Sequence, residues 1–371
     1  MLPPRAGSAS LAHTLMANMR KLSALALLPL LAVGVFAQTA TTDPVGFVKL
    51  TQLAGSDTIV SAPLERAPEF RGVVASVSGE IIAVQGTTGW TADQFLYSPS
   101  VQPKTYYVRF LSGARAGAYF TVLGNTTSAL TIDLNGDSLS TVAAGDKLQI
   151  TPYWTLGTIF PAADAGVSFE ASTSTLSRKT ELLFTAQNAL GVNLAASSIF
   201  YFYNSSWRKV GVAVASSFDD AVILPDSYFV VRNKTRPGTL TVVGAVSMSP
   251  IEIGLTSLAA GQQDNLVALA RPTEVSLDDS GLITSGAFVA STSPLSRKDQ
   301  LYVFDNSATG TNKSATAIYY FYNNAWRKVG QPVTANFGAE QIFKAGTGVI
   351  VRKAANGVAN ATNAWLNNPT Y

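Results

Sequence analysis

IFYFYNSSWRKVG occupies Ile199 to Gly211, and IYYFYNNAWRKVG occupies Ile318 to Gly330, 119 positions further along. Ten of the thirteen pairs are identical. Within each stretch β-branched and aromatic residues precede a short polar turn, then a second short run, which predicts a β-hairpin. Because the same hairpin occurs twice, the fold must be built twice. Upstream, FEASTSTLSRKTELL (Phe169 to Leu183) matches FVASTSPLSRKDQLY (Phe288 to Tyr302) at the same offset, again with ten identities, in fifteen pairs. A period near 120 residues is too long for a solenoid, so each copy is a small domain.

Working outward, strand-like runs recur at Gly46 to Leu50, Val73 to Val77, Glu80 to Val84, Thr105 to Leu111, Tyr119 to Leu123, Ala129 to Leu134 and Lys147 to Thr151, and again through the two copies. Turn residues separate them, which predicts an all-β chain of sandwich or barrel type. The mature chain shows no amphipathic helix longer than two turns, the nearest candidates being Ser177 to Phe184 and Ser296 to Phe304. A fainter echo relates Val45–Val48, followed by Asp57–Ser61, to Val243–Val246, followed by Asp264–Ala268. It predicts a first β repeat over 44–70 plus 152–238, an inserted small β-barrel-like domain over 71–151, and a second β-sandwich-like repeat over 239–371.

The N-terminus reads as a secretory signal peptide over 1–37. Arg5, Arg20 and Lys21 precede the apolar run Leu22 to Phe36, with cleavage expected after Ala37 and a translation start at Met16 or Met19 as an alternative to Met1. The run is shorter than a membrane-spanning helix needs, so no transmembrane segment is expected after leader removal. Export to the periplasm, cell surface or extracellular space follows. The leader carries the only histidine, His13, and the 371-residue chain has no cysteine. The mature chain therefore lacks imidazole and thiol, which excludes His-dependent nucleophile systems and zinc, haem or iron–sulfur sites. No cofactor is implied. Leader removal also leaves 23 basic against 23 acidic residues, and charged residues make up only 13% of the chain. A neutral surface of this kind offers no electrostatic footprint for nucleic acid.

Three motifs carry candidate sites. In the hairpins, a three-residue turn (Asn204 to Ser206) would set Tyr201, Tyr203 and Trp207 on one face, with Tyr320, Tyr322 and Trp326 in the second copy. Such faces would be either a sugar-stacking platform or core packing. Leu-Ser-Arg-Lys at Leu176–Lys179 and Leu295–Lys298 reads as a capping turn, Ser177 with Thr180 and Ser296 with Asp299, or as a paired anion site. Asp133, Asn135 and Asp137 have the alternating spacing of a calcium loop, but Ser138 and Ala144 stand where that loop needs Gly and Glu. The Asn-Gly step is also a turn signal. The carboxylates for glycoside hydrolysis would come from Glu170, Glu181, Asp219–Asp220 or Asp278–Asp279, none of which recurs at the 119 offset. An outer-membrane barrel fits less well, since the strands are often apolar on both faces and Asn367 and Pro369 interrupt the last one.

VGFVKL after the leader, YVRFLSG, ITPYWTLGTIFP, the doubled STSxLSRK and YFYNxxWRKVG segments, and a Trp near the final Tyr371 together resemble a family of exported bacterial proteins. That family occurs in several copies per genome in some environmental Gram-negative species, and no function is assigned to it. The resemblance implies export and one architecture across the mature chain. It supplies no site residues. The sequence thus points to an exported structural or interaction module without catalysis, with polysaccharide or other envelope proteins as partners. A carbohydrate-binding protein or carboxylate-dependent glycoside hydrolase is the alternative.

Overall fold

The computed structural model describes residues 43–186 and 188–371; the leader, its cleavage point and His13 lie outside them. The described chain is almost wholly β. The first copy begins with β1 (Val45–Gln52) and β2 (Ser56–Ser61). It continues after an insertion with β9 (Trp154–Thr155), β10 (Thr180–Phe184), β11 (Ser198–Tyr203), β12 (Ser206–Lys209), β13 (Val222–Ile223), β14 (Tyr228–Asn233) and β15 (Gly238–Ala245). The second copy repeats these nine strands in order: β16 (Ile251–Ser257), β17 (Gln263–Val267), β18 (Val275–Ser276), β19 (Gln300–Val303), β20 (Ala317–Tyr322), β21 (Ala325–Lys328), β22 (Gln341–Phe343), β23 (Val349–Lys353) and β24 (Ala361–Asn367).

Each copy is a five-stranded antiparallel sheet facing a two-stranded ribbon. The sheets run β12-β11-β10-β14-β2 and β21-β20-β19-β23-β17, and the ribbons are β1–β15 and β16–β24. Alternation puts every second residue inward, so Val60, Leu182, Phe200, Phe202 and Val231 of the first sheet meet Leu240 and Val242 of its ribbon. In the second copy Leu301, Tyr319 and Val351 meet Ile253 and Leu255.

Between β2 and β9 lies a closed six-stranded barrel, β3 (Phe70–Ser78), β4 (Ile81–Val84), β5 (Tyr106–Phe110), β6 (Tyr119–Asn125), β7 (Ala129–Ile132) and β8 (Lys147–Pro152), in the order β3-β4-β7-β6-β5-β8. Closure leaves no free strand edge, and the interior is filled by Val74, Ile82, Val108, Phe110, Leu130 and Ile150. The barrel is tied to the rest by a buried ion pair, Arg109 with Glu65, supported by Gln149 Nε2 donating to Glu65 Oε2 at 3.0 Å and Arg109 Nη1 to Ser247 Oγ at 3.3 Å. Burial pushes the Arg109 pKa down to about 10, which still leaves the guanidinium charged at neutral pH. No described helix is long and apolar enough to cross a membrane.

Ser177 to Phe184 and Ser296 to Phe304, the nearest approaches to a helix in the sequence, contribute β10 and β19, central strands each hydrogen-bonded on both sides. One sequence expectation changes. The divide between the copies moves, from 238/239 to the segment between Ala245 and Ile251. The similar stretches Val45–Val48 and Val243–Val246 are not equivalent positions. They belong to strands paired antiparallel in one ribbon, Val45 opposite Ala245 and Phe47 opposite Val243. The accompanying echo is positional, since Asp57–Ser61 lies in β2 and Asp264–Val267 lies in β17.

Candidate functional site

The hairpin turn has two residues, not three. Asn204 and Ser205 (φ 55° and 60°), and Asn323 and Asn324 (φ 49° and 53°), take the left-handed pair of a type I′ turn, so Phe202 opposes Trp207 and Tyr201 opposes Arg208. A slip of one residue exchanges the faces. Trp207 and Trp326 therefore point into the two cores, fully buried, with the Trp207 indole donating to the Phe160 carbonyl at 3.1 Å. Tyr201 and Tyr203 lie on the opposite face, and Tyr320 and Tyr322 repeat this. The aromatic platform is thus split between two faces. Trp207, Trp326 and Trp365 are expected to be shielded from acrylamide, with emission unchanged by added polysaccharide; quenching at the rate of free indole would contradict this placement.

What the Leu-Ser-Arg-Lys loops build is the other half of that tyrosine face. Arg178 lies over the Tyr201 ring at 5.8 Å and Arg297 over Tyr320 at 5.6 Å. The turns are closed by Ser174 Oγ accepting from Ser177 N and Ser293 Oγ from Ser296 N, both at 2.9 Å. The expected caps, Thr180 and Asp299, point elsewhere. Thr180 donates to Asn233 Oδ1 at 2.7 Å, and Asp299 pairs with Lys353 inside the second copy.

The proposed calcium ligands are engaged differently. Asp133 Oδ1 accepts from Asn135 N at 2.9 Å as an Asx turn, Asn135 and Gly136 have positive φ, and Asp137 is held by Arg115 at 2.6 Å. Among the described residues there is no group of three acidic or histidine side chains placed to hold a metal. The candidate acids are also dispersed. Burial would raise the pKa of Glu181, but hydrogen bonds from Arg178 and Lys234 outweigh it and hold the carboxyl below its ordinary value. Asp219 accepts Trp207 N at 2.7 Å and the Ser206 and Ser217 hydroxyls. Glu170 takes the Thr235 hydroxyl, Asp220 that of Tyr97, and Asp279 that of Ser276.

The site that the sequence did not announce is the seam between the copies. Each copy sends a loop across to the other. Asp264 N donates to Gly191 O at 2.8 Å, and Asp57 N to Gly310 O at 2.9 Å; Gly191 and Gly310 are related by the 119 offset. Asp57 receives a bidentate pair from Arg232 at 2.7 and 2.8 Å and an N–H from Asn312 at 2.7 Å. Reciprocally, Asp264 receives Arg352 at 2.6 and 2.9 Å and Asn193 N at 2.7 Å. A second pair closes the seam, Ser61 N to Gly346 O and Ala268 N to Asp226 O, both at 2.9 Å. Reciprocity of this kind is the signature of a two-fold, here within one chain. On it, the equivalent positions Tyr228 and Gly348 meet: a Cβ on Gly348 would fall 2.2 Å from the Tyr228 ring.

Two cavities, of about 320 and 310 Å³, lie along the seam and share the wall of Thr185, Leu194, Tyr228 and Leu266. None of the six carboxylates considered from sequence lines either one. The second cavity holds Asp226, whose pKa is raised by burial despite a 2.8 Å hydrogen bond from the Tyr119 hydroxyl. A carboxyl raised in this way favours folding below the unfolded pKa and loses that contribution as pH climbs through the folded one. Asp226→Asn is therefore expected to raise the melting temperature by a few degrees at pH 7 and to leave it unchanged near pH 3. Thermal melts across that range check this. No family model, curated protein or solved structure matches the chain.

Proposed function

We propose that the protein is an exported interaction module, working at the periplasmic, cell-surface or extracellular level without catalysis, and that it is bivalent. One observation carries this reading. Leu176 and Leu295 are 89% and 95% exposed at the tips of the two Leu-Ser-Arg-Lys loops. A single exposed leucine needs no explanation. Here the loop is held identically in both copies, through Ser172 and Ser291 to the following Lys N–H at 3.2 and 3.1 Å and through the arginine–tyrosine stacks. Packing and hydrogen bonds account for Phe169, Ser172, Ser174 and Arg178 and their counterparts in the second copy, whereas the fold gains nothing from an apolar side chain in water. Two rigid loops, each presenting a leucine beside an Arg and a Lys, suit attachment to an envelope polymer or protein at two points. The reading without catalysis is supported by the candidate carboxylates, of which Glu181 is held in ion pairs and Glu170, Asp219, Asp220 and Asp279 accept hydroxyls.

The experiment is co-sedimentation of the mature protein with envelope fragments, peptidoglycan and insoluble glucan. Leu176→Ser and Leu295→Ser are expected each to weaken binding modestly, and the double variant to lose more than tenfold, with unchanged melting temperature. Binding of the double variant equal to wild type contradicts the reading. N-terminal sequencing of secreted protein, expected to begin at Gln38, tests export separately.

A further inference from the structure

The seam is symmetric in its clasps and asymmetric in its lining. In the 320 Å³ cavity the floor is apolar, with Ile59 and Val230 from the first copy and Leu266 and Ile350 from the second. A cavity of this size suits a small ligand. Above the floor the two crossing loops differ: Phe304 and Lys313 of the second copy stand where the first has Thr185 and Leu194. The seam therefore has a cationic end and an apolar end. Where the fold needs a residue both copies kept it, as in Asp57 and Asp264 or Asn193 and Asn312. The lining is where they diverged.

Lys313 feels the charges of Asp305 and Asp57 without contacting either carboxylate. Its ammonium donates to the Asp305 carbonyl at 3.1 Å and forms no ion pair among the described residues. The one carboxylate lining this cavity, Asp57, has both oxygens taken by Arg232 and the Asn312 N–H. Arg232 and Asp57 neutralise each other, so the cavity carries the net charge of Lys313. Burial also lowers the Lys313 pKa, which an anion alongside would reverse. At the other end, beyond Leu194, the neighbouring cavity carries Asp226 and Asp264. Asp264 there is neutralised by Arg352 as Asp57 is by Arg232, so the charge that orients an anionic head is that of Lys313, with an apolar tail at home over the floor.

We propose that the seam cavity binds a monocarboxylate with an unbranched apolar tail, its head on Lys313 and its tail running over Val230 and Leu266 toward Leu194. This site is separate from the leucine loops, so either reading can fail alone.

Isothermal titration of the mature protein with octanoate, octan-1-ol and octyltrimethylammonium tests it. Octanoate is expected to bind at least about tenfold more tightly than octanol, the increment of one charge-assisted contact, and the cation to give no measurable binding. Lys313→Gln should bring octanoate down to the octanol level, and Leu194→Trp, which closes the tail end, should abolish binding of both. Lys313 is only partly buried, in a loop, so that variant keeps the fold even if the tryptophan variant does not. Octanoate binding no tighter than octanol, full affinity in Lys313→Gln, or no heat from millimolar octanoate with the wild type would each overturn the proposal.

Discussion

Replacing Lys353 by methionine is expected to lower the unfolding free energy by about 3–5 kcal/mol, because it strands a buried carboxylate. Lys353 and Asp299 are 1% and 0% exposed and paired, and Asp299 also accepts Val289 N at 2.7 Å and Ala354 N at 2.8 Å. The lysine additionally donates to the Ala287 carbonyl. In the first copy the same two positions are Thr180 and Asn233, a neutral pair at 2.7 Å. One copy thus solves with a hydrogen bond what the other solves with an ion pair. Transplanting the neutral solution, Asp299→Thr with Lys353→Asn, should recover more than half of the loss. Urea unfolding of the three proteins measures both effects.

A comparable effect is expected at the seam. Gly348→Tyr places a side chain where even a Cβ would lie 2.2 Å from Tyr228, so the copies must part or a ring must leave its rotamer, at a cost of about 3 kcal/mol or more. Tyr228→Gly removes a buried ring and should cost about 3–5 kcal/mol through the space it leaves. Neither number depends on the function of the protein. They follow from two equivalent positions facing each other where only one can be large.

The same rule explains why the acids looked unrelated in sequence. Gly157 N donates to Asp219 O at 2.7 Å in the first copy, and Asp278 N to Gly338 O at 2.9 Å in the second. Glycine and aspartate have changed places across one contact, and a Cβ on Gly338 would lie 2.2 Å from the Asp278 carboxylate. The offset of 119 sets Asp219 against Gly338, and Asp278 is equivalent to Gly157 only at an offset of 121, so neither acid has an acid as its counterpart. What was legible was whatever both copies share and periodicity exposes: the strands, the all-β class, the barrel strands and the doubling. The Tyr201–Trp207 face was misplaced because Asn204-Ser205 is a weaker type I′ signal than Asn-Gly, and one extra turn residue moves tryptophan from core to surface. The seam was hidden for a different reason. Asp57 meets Arg232 and Asn312 only through long-range pairing of separate copies, and no local pattern encodes that. Gly191 and Gly310, with Asn193 and Asn312 at φ 54° and 51°, were the available signal. The shared Gly-x-Asn in both loops marks a crossing turn that the strand pattern alone leaves unexplained.

An internal two-fold sets Tyr228 against Gly348. The coupling energy from a double-mutant cycle of Tyr228→Gly and Gly348→Tyr, read by urea unfolding, tests this most directly. The exchanged protein is predicted to be about 3 kcal/mol more stable than the sum of the single losses, since the ring is returned to the same space from the other side. Losses that add to within about 0.5 kcal/mol would mean that the two positions do not meet, and would contradict the two-fold.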